Sequence, residues 1–369
     1  MRKILIFSIA YYPLVGGAEV AVKEITNRLP ALGWDMITLR LDKKLLKFEK
    51  VGNINVYRVS GPKLFFPITA CIKATQLHKK NKYDAIWSIM AAYAGFAALF
   101  FKLSHPKIPF LLTLQEGDSE EHILKRVGIF YPLWKKIFGK ADYIQAISSY
   151  LADFGKKYGA KCPVDVIPNG VDVYKFQNPN DKLQINFKLP NDKLLITTSR
   201  LVKKNAIDDA IKALQYLPGN IKFLILGTGP LESKLKLQTT NYKLQTRTKF
   251  LGYIDHSEIP KYLAIADIFI RPSLSEGMGN SFIEAMAAGI PVIATSVGGI
   301  PDFLKDGETG LFCEVHNPQS ISEKVKILLE NQELRNKIII NAKEMAVKNY
   351  DWDLIAEKMK NIFEKLCVS

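Results

Sequence analysis

The sequence predicts an α/β protein made of two doubly wound, parallel-sheet halves of similar size. Three observations carry this. Short apolar runs alternate with helical patterns along nearly the whole chain, which means βαβ units and parallel sheets. The alternation pauses at about residues 170–192, where Asn, Asp, Pro and Lys are frequent, and then restarts. The length, 369 residues, is long for one domain and comfortable for two. The expected domains are residues 1–175 and 176–349, with 350–369, opened by Asp351-Trp352, forming a last helix that returns to the first domain.

In the first half, Ile4–Ala10 reads as a buried strand, followed by Gly16-Gly17-Ala18-Glu19 and a helix to about Leu32, with Gly33 as its stop. Strands are expected at Met36–Arg40, Ile54–Val59, Ala85–Ile89, Phe110–Leu114, Tyr143–Ala146 and Val164–Ile167, with a helix between Ala85–Ile89 and Phe110–Leu114. In the second half, Leu194–Ser199 is a strand, Ile207–Leu217 a helix and Lys222–Leu226 a strand. The turn Gly227-Thr-Gly229-Pro230 and a polar helical stretch follow. Phe250–Leu251, Ile268–Ile270 and Pro291–Ala294 continue the series. Open parallel sheets bind ligands at the C-terminal ends of their strands, so two such edges facing one another predict a pocket between the halves.

Composition narrows the function. Apolar residues at 48% and charged residues at 24% are ordinary globular usage, which excludes a disordered or collagen-like chain. No apolar stretch reaches the roughly 18 residues of a spanning helix. Ile89–Leu103 comes nearest, weakened by Lys102 and small residues. Met1-Arg-Lys before Ile4–Ala10 resembles the start of a signal peptide, but Tyr11-Tyr12-Pro13 ends the apolar run early and favours a buried strand. Cys71, Cys162, Cys313 and Cys367 are far apart, with no metal-ligand spacing and no disulfide framework, so a reducing compartment is expected. The net charge of +15 is uneven: residues 1–170 carry +12 and the rest +3. Such an excess suits an anionic partner, whether nucleic acid, a membrane surface or a phosphorylated substrate, or serves solubility alone.

Arg271–Pro301, RPSLSEGMGNSFIEAMAAGIPVIATSVGGIP, is the most informative stretch. A strand ends near Ile270, and a loop holding Glu276, Gly277 and Gly279 follows. A helix then runs from about Asn280 to Ala288, with Gly289 as its C-cap. Free backbone N–H groups near Asn280, Ser281 and Phe282 suit an anion such as a diphosphate. Glu276 in the loop then reaches a sugar beside the phosphates, and Glu284, a turn into the helix, reaches the hydroxyls of a ribose. The alternative is that Glu284 is a solvated helix residue and the glycines only shape a turn.

Glu276 and Glu284, separated by seven residues and followed by AMAAGIPVIATSVGGIPDFLKDGETGLF, resemble the donor site of the retaining glycosyltransferases of family 4, which have the GT-B fold. Four further segments resemble that family in the same order. They are Pro13-Leu-Val-Gly-Gly-Ala-Glu19, Val166-Ile-Pro-Asn-Gly-Val-Asp172, Thr198-Ser-Arg-Leu-Val-Lys-Lys204 and Leu226-Gly-Thr-Gly-Pro-Leu231. The resemblance implies two Rossmann-like domains facing across a cleft. It also implies transfer of a sugar from a nucleotide-diphosphate donor (UDP or GDP) with retention at the anomeric carbon, and no cofactor or metal. Arg200 and Lys204, with Lys203 as the other candidate, are then the cations on the leaving diphosphate. Gly16 and Gly17, lacking Cβ, let the backbone approach the donor from the other domain.

Two departures stand out. Asn205-Ala206 occupies the place of the family's usual lysine–glycine pair. Gln115 stands where a histidine is common, and an amide does not shuttle protons. A front-face mechanism, in which the leaving phosphate takes the acceptor proton, needs no base there. Glu116 and Asp118 orient an acceptor hydroxyl or cap the next helix. His78, His105, His122, His256 and His316 sit in no recognised motif. Ile123–Lys140 interleaves apolar and basic residues, as an interfacial helix on anionic headgroups does, or as a domain helix with one buried face, and Pro132 predicts a kink or break within it.

The leading expectation is an enzyme that glycosylates a glycolipid or polysaccharide acceptor in envelope biosynthesis, cytoplasmic and peripheral at the inner membrane face. The alternatives are a non-catalytic relative that binds nucleotide sugar, an epimerase or starch/glycogen-type synthase on the same fold, or a nucleic-acid-binding protein. The last lacks any RNA or DNA module motif.

Overall fold

The computed structural model describes residues 1–179, 187 and 190–367. Much of the expected boundary, residues 180–186, 188 and 189, lies outside the described residues. The chain divides into two units: Met1–Gly170 together with the chain from Trp352 onward, and Val171–Asp351.

The first unit holds β1 (Lys3–Phe7), β2 (Gly33–Leu39), β3 (Phe48–Val51), β4 (Ile54–Val59), β5 (Ala85–Ile89), β6 (Phe110–Leu114), β7 (Tyr143–Ala146) and β8 (Val164–Val166). They form one sheet in the order β3-β4-β2-β1-β5-β6-β7-β8. Every pairing is parallel except the β3–β4 hairpin at the edge. β5 and β6 are buried at every position, as strands covered on both faces must be. The helices Gly17–Arg28 and Trp352–Leu366 pack together over one face. There the ring of Phe363 meets Trp34 at 5.2 Å and Trp87 at 5.3 Å between centroids. Burying each such side chain contributes roughly 1.5–3 kcal/mol.

The second unit holds β9 (Lys193–Thr198), β10 (Ile221–Leu226), β11 (Thr248–Gly252), β12 (Ile268–Arg271), β13 (Val292–Thr295) and β14 (Leu311–Cys313). All pair in parallel, in the order β11-β10-β9-β12-β13-β14. This is the doubly wound order in which the winding reverses between β9 and β12, and a crevice opens there beyond the carboxyl ends of the strands. The corresponding reversal in the first unit lies between β1 and β5.

Several boundaries differ from the sequence reading. The first helix stops at Arg28 rather than Leu32, because Pro30 has no N–H to continue it and the Trp34 indole donates to the Leu29 carbonyl at 3.2 Å. β1 ends at Phe7, where Ser8 turns its hydroxyl onto the Ala10 carbonyl. The edge strand β3 and the three-residue β14 were not expected; each is too short to show a period.

Ile123–Lys140 is two helices, Glu120–Val127 and Tyr131–Lys140, joined by one 3-10 turn at Gly128–Phe130. The break falls at Gly128, with φ +50, and Pro132 sits harmlessly in the first turn of the second helix. The stretch is therefore not one interfacial helix: Ile123, Trp134, Ile137 and Phe138 are core, while Ile129 is 90% exposed.

Candidate functional site

The loops after β9, β10, β11, β12 and β13 meet the carboxyl edge of the second sheet. The basic loop after β9 is bound to its neighbours on both sides. Its Leu201 N–H donates to the Thr228 carbonyl at 2.9 Å, and its Lys204 carbonyl accepts from the Leu274 N–H at 2.6 Å. The second bond ties the loop after β9 to the loop after β12 across the reversal point. Gly227, at φ +126, passes so close to the Ser199 carbonyl that no Cβ fits. Arg200 and Lys203 are exposed and Lys204 is half-buried. Asn205 folds inward and donates from Nδ2 to the Arg200 carbonyl at 2.7 Å, so the amide shapes the loop that carries Arg200. Ala206 adopts φ +47, the left-handed conformation that glycine fills without cost.

Glu276 sits in the loop after β12 and is mostly buried. Its Oε2 accepts from Arg271 Nη2 at 2.8 Å, and its Oε1 lies 3.1 Å from the Gly277 N–H. Arg271 is the last residue of β12. Its Nη1 donates to the Ser281 hydroxyl at 2.8 Å, and its guanidinium lies 4.1 Å from the centre of the Phe282 ring. Burial pushes the pKa of Arg271 below its ordinary value, and the Glu276 charge opposes that. The loop is closed from β13: Gly299 N–H donates to the Glu276 carbonyl, and Gly298, at φ +55, lies against that same carbonyl with no room for a Cβ.

The helix Asn280–Ala287 begins after Gly279, at φ +87. Here one expectation is corrected. The Phe282 N–H is not free; it donates to the Gly279 carbonyl at 3.1 Å, and the Phe282 ring is fully buried under Arg271. Ser281 contributes its hydroxyl to Arg271, and Asn280 is half-buried. Glu284 is not a solvated helix residue: it is buried, with its Oε1 at 2.8 Å from His256 Nε2. Bonding to Glu284 holds the His256 imidazole above its usual pKa.

Arg271 and His256 are the partners that sequence reasoning missed. Arg271 lay at the head of the quoted segment as an apparent strand end. His256 comes from the loop after β11, and nothing local marks it. Five polar side-chain atoms around the crevice are buried without a hydrogen-bond partner: the hydroxyls of Thr197, Thr198, Ser199 and Ser273 and Oδ1 of Asn205. Native structures rarely leave buried polar atoms unsatisfied, so such a cluster marks a place for a polar ligand or water.

In the first unit the expected residues also gather at the carboxyl edge. Gly16 caps the helix Gly17–Arg28 in an extended conformation, and its N–H donates to Glu19 Oε2 at 2.8 Å. Gln115 is buried and accepts from Asn169 Nδ2 at 3.3 Å. Glu116 accepts the Ala91 N–H on Oε1 at 2.6 Å, while its Oε2 has no partner. Burial pushes the Glu116 carboxyl above the usual carboxylate range. Asp118 does not cap the next helix; Ser119 does, and Asp118 pairs with Arg126 at 3.2 Å. Among the described residues, no three His, Cys, Asp or Glu side chains gather to hold a metal ion. Nor is any helix among them long and apolar enough to cross a membrane.

Comparison with known proteins places both units. The family model described as Glycosyltransferase Family 4 matches residues 15–175, and that described as Glycosyl transferases group 1 matches residues 180–345. An uncharacterized glycosyltransferase of Methanocaldococcus jannaschii is 28% identical over 370 residues, covering 99% of each chain. The GDP-mannose-dependent alpha-(1-6)-phosphatidylinositol monomannoside mannosyltransferase of Mycobacterium tuberculosis is 26% identical over 379 residues, covering 97% of each. The solved structure of HepE from Anabaena, in complex with UDP-glucose, superposes with a TM-score of 0.83 at 21% identity, covering 99% of this chain and all of that one.

Proposed function

From the premise that the chain belongs to the family 4 glycosyltransferases, with the GT-B fold, we propose that it moves a sugar from a nucleotide-diphosphate donor to a lipid-linked or polysaccharide acceptor with retention of anomeric configuration. The observation that carries this reading is the hydrogen bond from Leu274 to Lys204. It brings the loop of Arg200, Lys203 and Lys204 and the loop of Glu276 to one crevice, with cations and a carboxylate on the same sheet edge. In the reaction the bond from the anomeric carbon to the diphosphate oxygen breaks. The acceptor oxygen bonds to that carbon from the same face, and its proton passes to the leaving phosphate.

Arg200 and Lys204 stabilise the charge that develops on the diphosphate, at fixed positions and without solvent reorganisation. Glu276 receives the donor sugar's hydroxyls. Arg271 is a positioning residue that holds the Glu276 carboxylate. The ribose hydroxyls take the place of His256 on Glu284. Gly16 and Gly17 serve donor binding, and Gln115, Glu116 and Asp118 orient the acceptor or the sugar, as the family resemblance implies. The UDP-glucose of the HepE structure and the GDP-mannose of the mycobacterial relative support a nucleotide-diphosphate sugar of either base. The phosphatidylinositol mannoside acceptor of that relative supports a glycolipid, and the +12 charge of residues 1–170 supports work at the inner membrane face.

The test is a thermal-shift screen with UDP, GDP, ADP and their sugars, followed by transfer assays with the sugar that stabilises most. Wild-type turnover in Glu276→Ala and Arg200→Ala refutes the assignment. The inward fold of Asn205, which leaves no cation at that position, favours one second reading, a relative that binds the donor without transferring it. A donor-induced thermal shift without hydrolysis or transfer selects it.

A further inference from the structure

The first unit contains a cavity of about 370 Å³ that the roles above touch only at Glu116. Phe96 and Phe100, from the helix Tyr93–Ser104, lie on one side, with Trp134 beside them. Phe65 and Ile68, at the start of the helix Phe66–Asn81, and Phe130, from the turn Gly128–Phe130, complete the walls. Among the described residues, only two charged side chains line it, Glu116 and Arg126.

Its two polar features and its rim are informative together. Glu116 lies just past the carboxyl end of β6, where an acceptor hydroxyl is expected, and its buried Oε2 has no partner. At the rim, Phe65, Ile68 and Phe130 are each about half exposed (53%, 51% and 50%) and Ile129 is 90% exposed. The exposed cations Lys125, Arg126, Lys135 and Lys136 flank that apolar turn. An apolar cavity with one polar atom at the sheet edge, an apolar rim and surrounding positive charge matches an amphiphile with an anionic head.

We propose that this cavity takes a hydrocarbon chain of the acceptor lipid, with the acceptor's polar end at Glu116 and its anionic group among the rim cations. The proposal rests on the acceptor side of the function given above and makes the acceptor a lipid rather than a polysaccharide. A chain held this way fixes the hydroxyl at the sheet edge through contacts remote from the reacting atoms.

Trp134 lines the cavity and is one of four tryptophans, so a brominated chain inside it quenches up to about a quarter of the emission. The probe is monomeric bromododecanol, with bromobutanol as the short control, added to the full chain without donor. Saturable quenching is expected, weakening about tenfold for every two methylenes removed from the probe. Trp134→Phe abolishes the signal, and Ala92→Trp, which fills the cavity, abolishes binding. The paired variant Ile68→Asp/Phe130→Asp changes only exposed rim positions and keeps the test valid if Ala92→Trp fails to fold; it weakens binding at least about threefold. Non-saturable quenching, equal quenching by the short probe, or quenching that requires phosphatidylglycerol vesicles overturns the proposal, the last in favour of surface docking. The readout needs no turnover. Absence of sugar transfer with quenching intact therefore counts against the catalytic reading alone, and transfer to a water-soluble acceptor without quenching counts against the cavity alone.

Discussion

Glu276→Ala separates what the loop carboxylate does for the fold from what it does for the reaction. The carboxylate neutralises Arg271, whose side chain is 7% exposed against 13% for Glu276. Its removal leaves a buried guanidinium with the Ser281 hydroxyl and the face of the Phe282 ring, and with Nε already unpartnered. Breaking one side of a buried ion pair costs about 3–5 kcal/mol, and residual hydration of the loop puts this pair at the lower end, about 3 kcal/mol. For a unit of this size that is a drop of roughly 6–12 °C in melting temperature. Glu276→Gln keeps an oxygen for Arg271 to donate to and is expected to cost about 1 kcal/mol. Arg271→Met/Glu276→Leu removes both charges and recovers stability to within about 1 kcal/mol of wild type, yet stays inactive. Scanning calorimetry of the full chain, beside a transfer assay, reads all three. A Glu276→Ala protein that melts within about 2 °C of wild type, or a double variant no more stable than the single one, refutes the claim that this pair holds the loop.

Three further predictions follow from the geometry. Ala206→Gly relieves the left-handed φ of +47 and raises the melting temperature, by about 0.5–1 kcal/mol of stability after glycine's entropy cost. Gly298→Ala drives a Cβ into the Glu276 carbonyl at a positive φ; it costs at least about 2 kcal/mol and abolishes the nucleotide-induced thermal shift. The His256 imidazole, held above its usual range by Glu284, titrates by NMR nearer to about 6.5 in Glu284→Gln. Because its folded-state value is the higher one, its stabilising contribution is complete below the unfolded value and lost as pH rises through the folded value, and Glu284→Gln flattens that dependence.

Most strands were legible because apolar runs bounded by glycine, proline and polar residues leave little choice at parallel-sheet positions. Ile54–Val59, Ala85–Ile89, Phe110–Leu114 and Tyr143–Ala146 end where the runs end. β3 was not legible, since FEKV carries no alternation and owes its pairing to Ile54–Tyr57 across the hairpin. In the candidate site, glycine positions were legible and side-chain partners were not. Gly279 and Gly289 announce tight backbone, but that Arg271 turns to Glu276, or that His256 reaches Glu284 across 28 residues, depends on tertiary packing. The Ile123–Lys140 stretch left two readings open, an interfacial helix or a domain helix with one buried face, and the structure shows the second. Its composition suits an interface, yet Trp134 donates its indole N–H to the Ala91 carbonyl at 2.6 Å and belongs to the interior.

The helix Trp352–Leu366 has a consequence for biogenesis. A ribosome delivers all of Val171–Asp351 before it delivers Trp352, so the part made first is finished last. Until Phe363 arrives, Trp34 and Trp87 on the nascent sheet have no covering ring. The contiguous part can fold at once on emergence, while the earlier part waits with an apolar face open to solvent or to a holdase. A ribosome stalled before Trp352 therefore displays a half-covered sheet, which the helix Trp352–Leu366 closes once it is made.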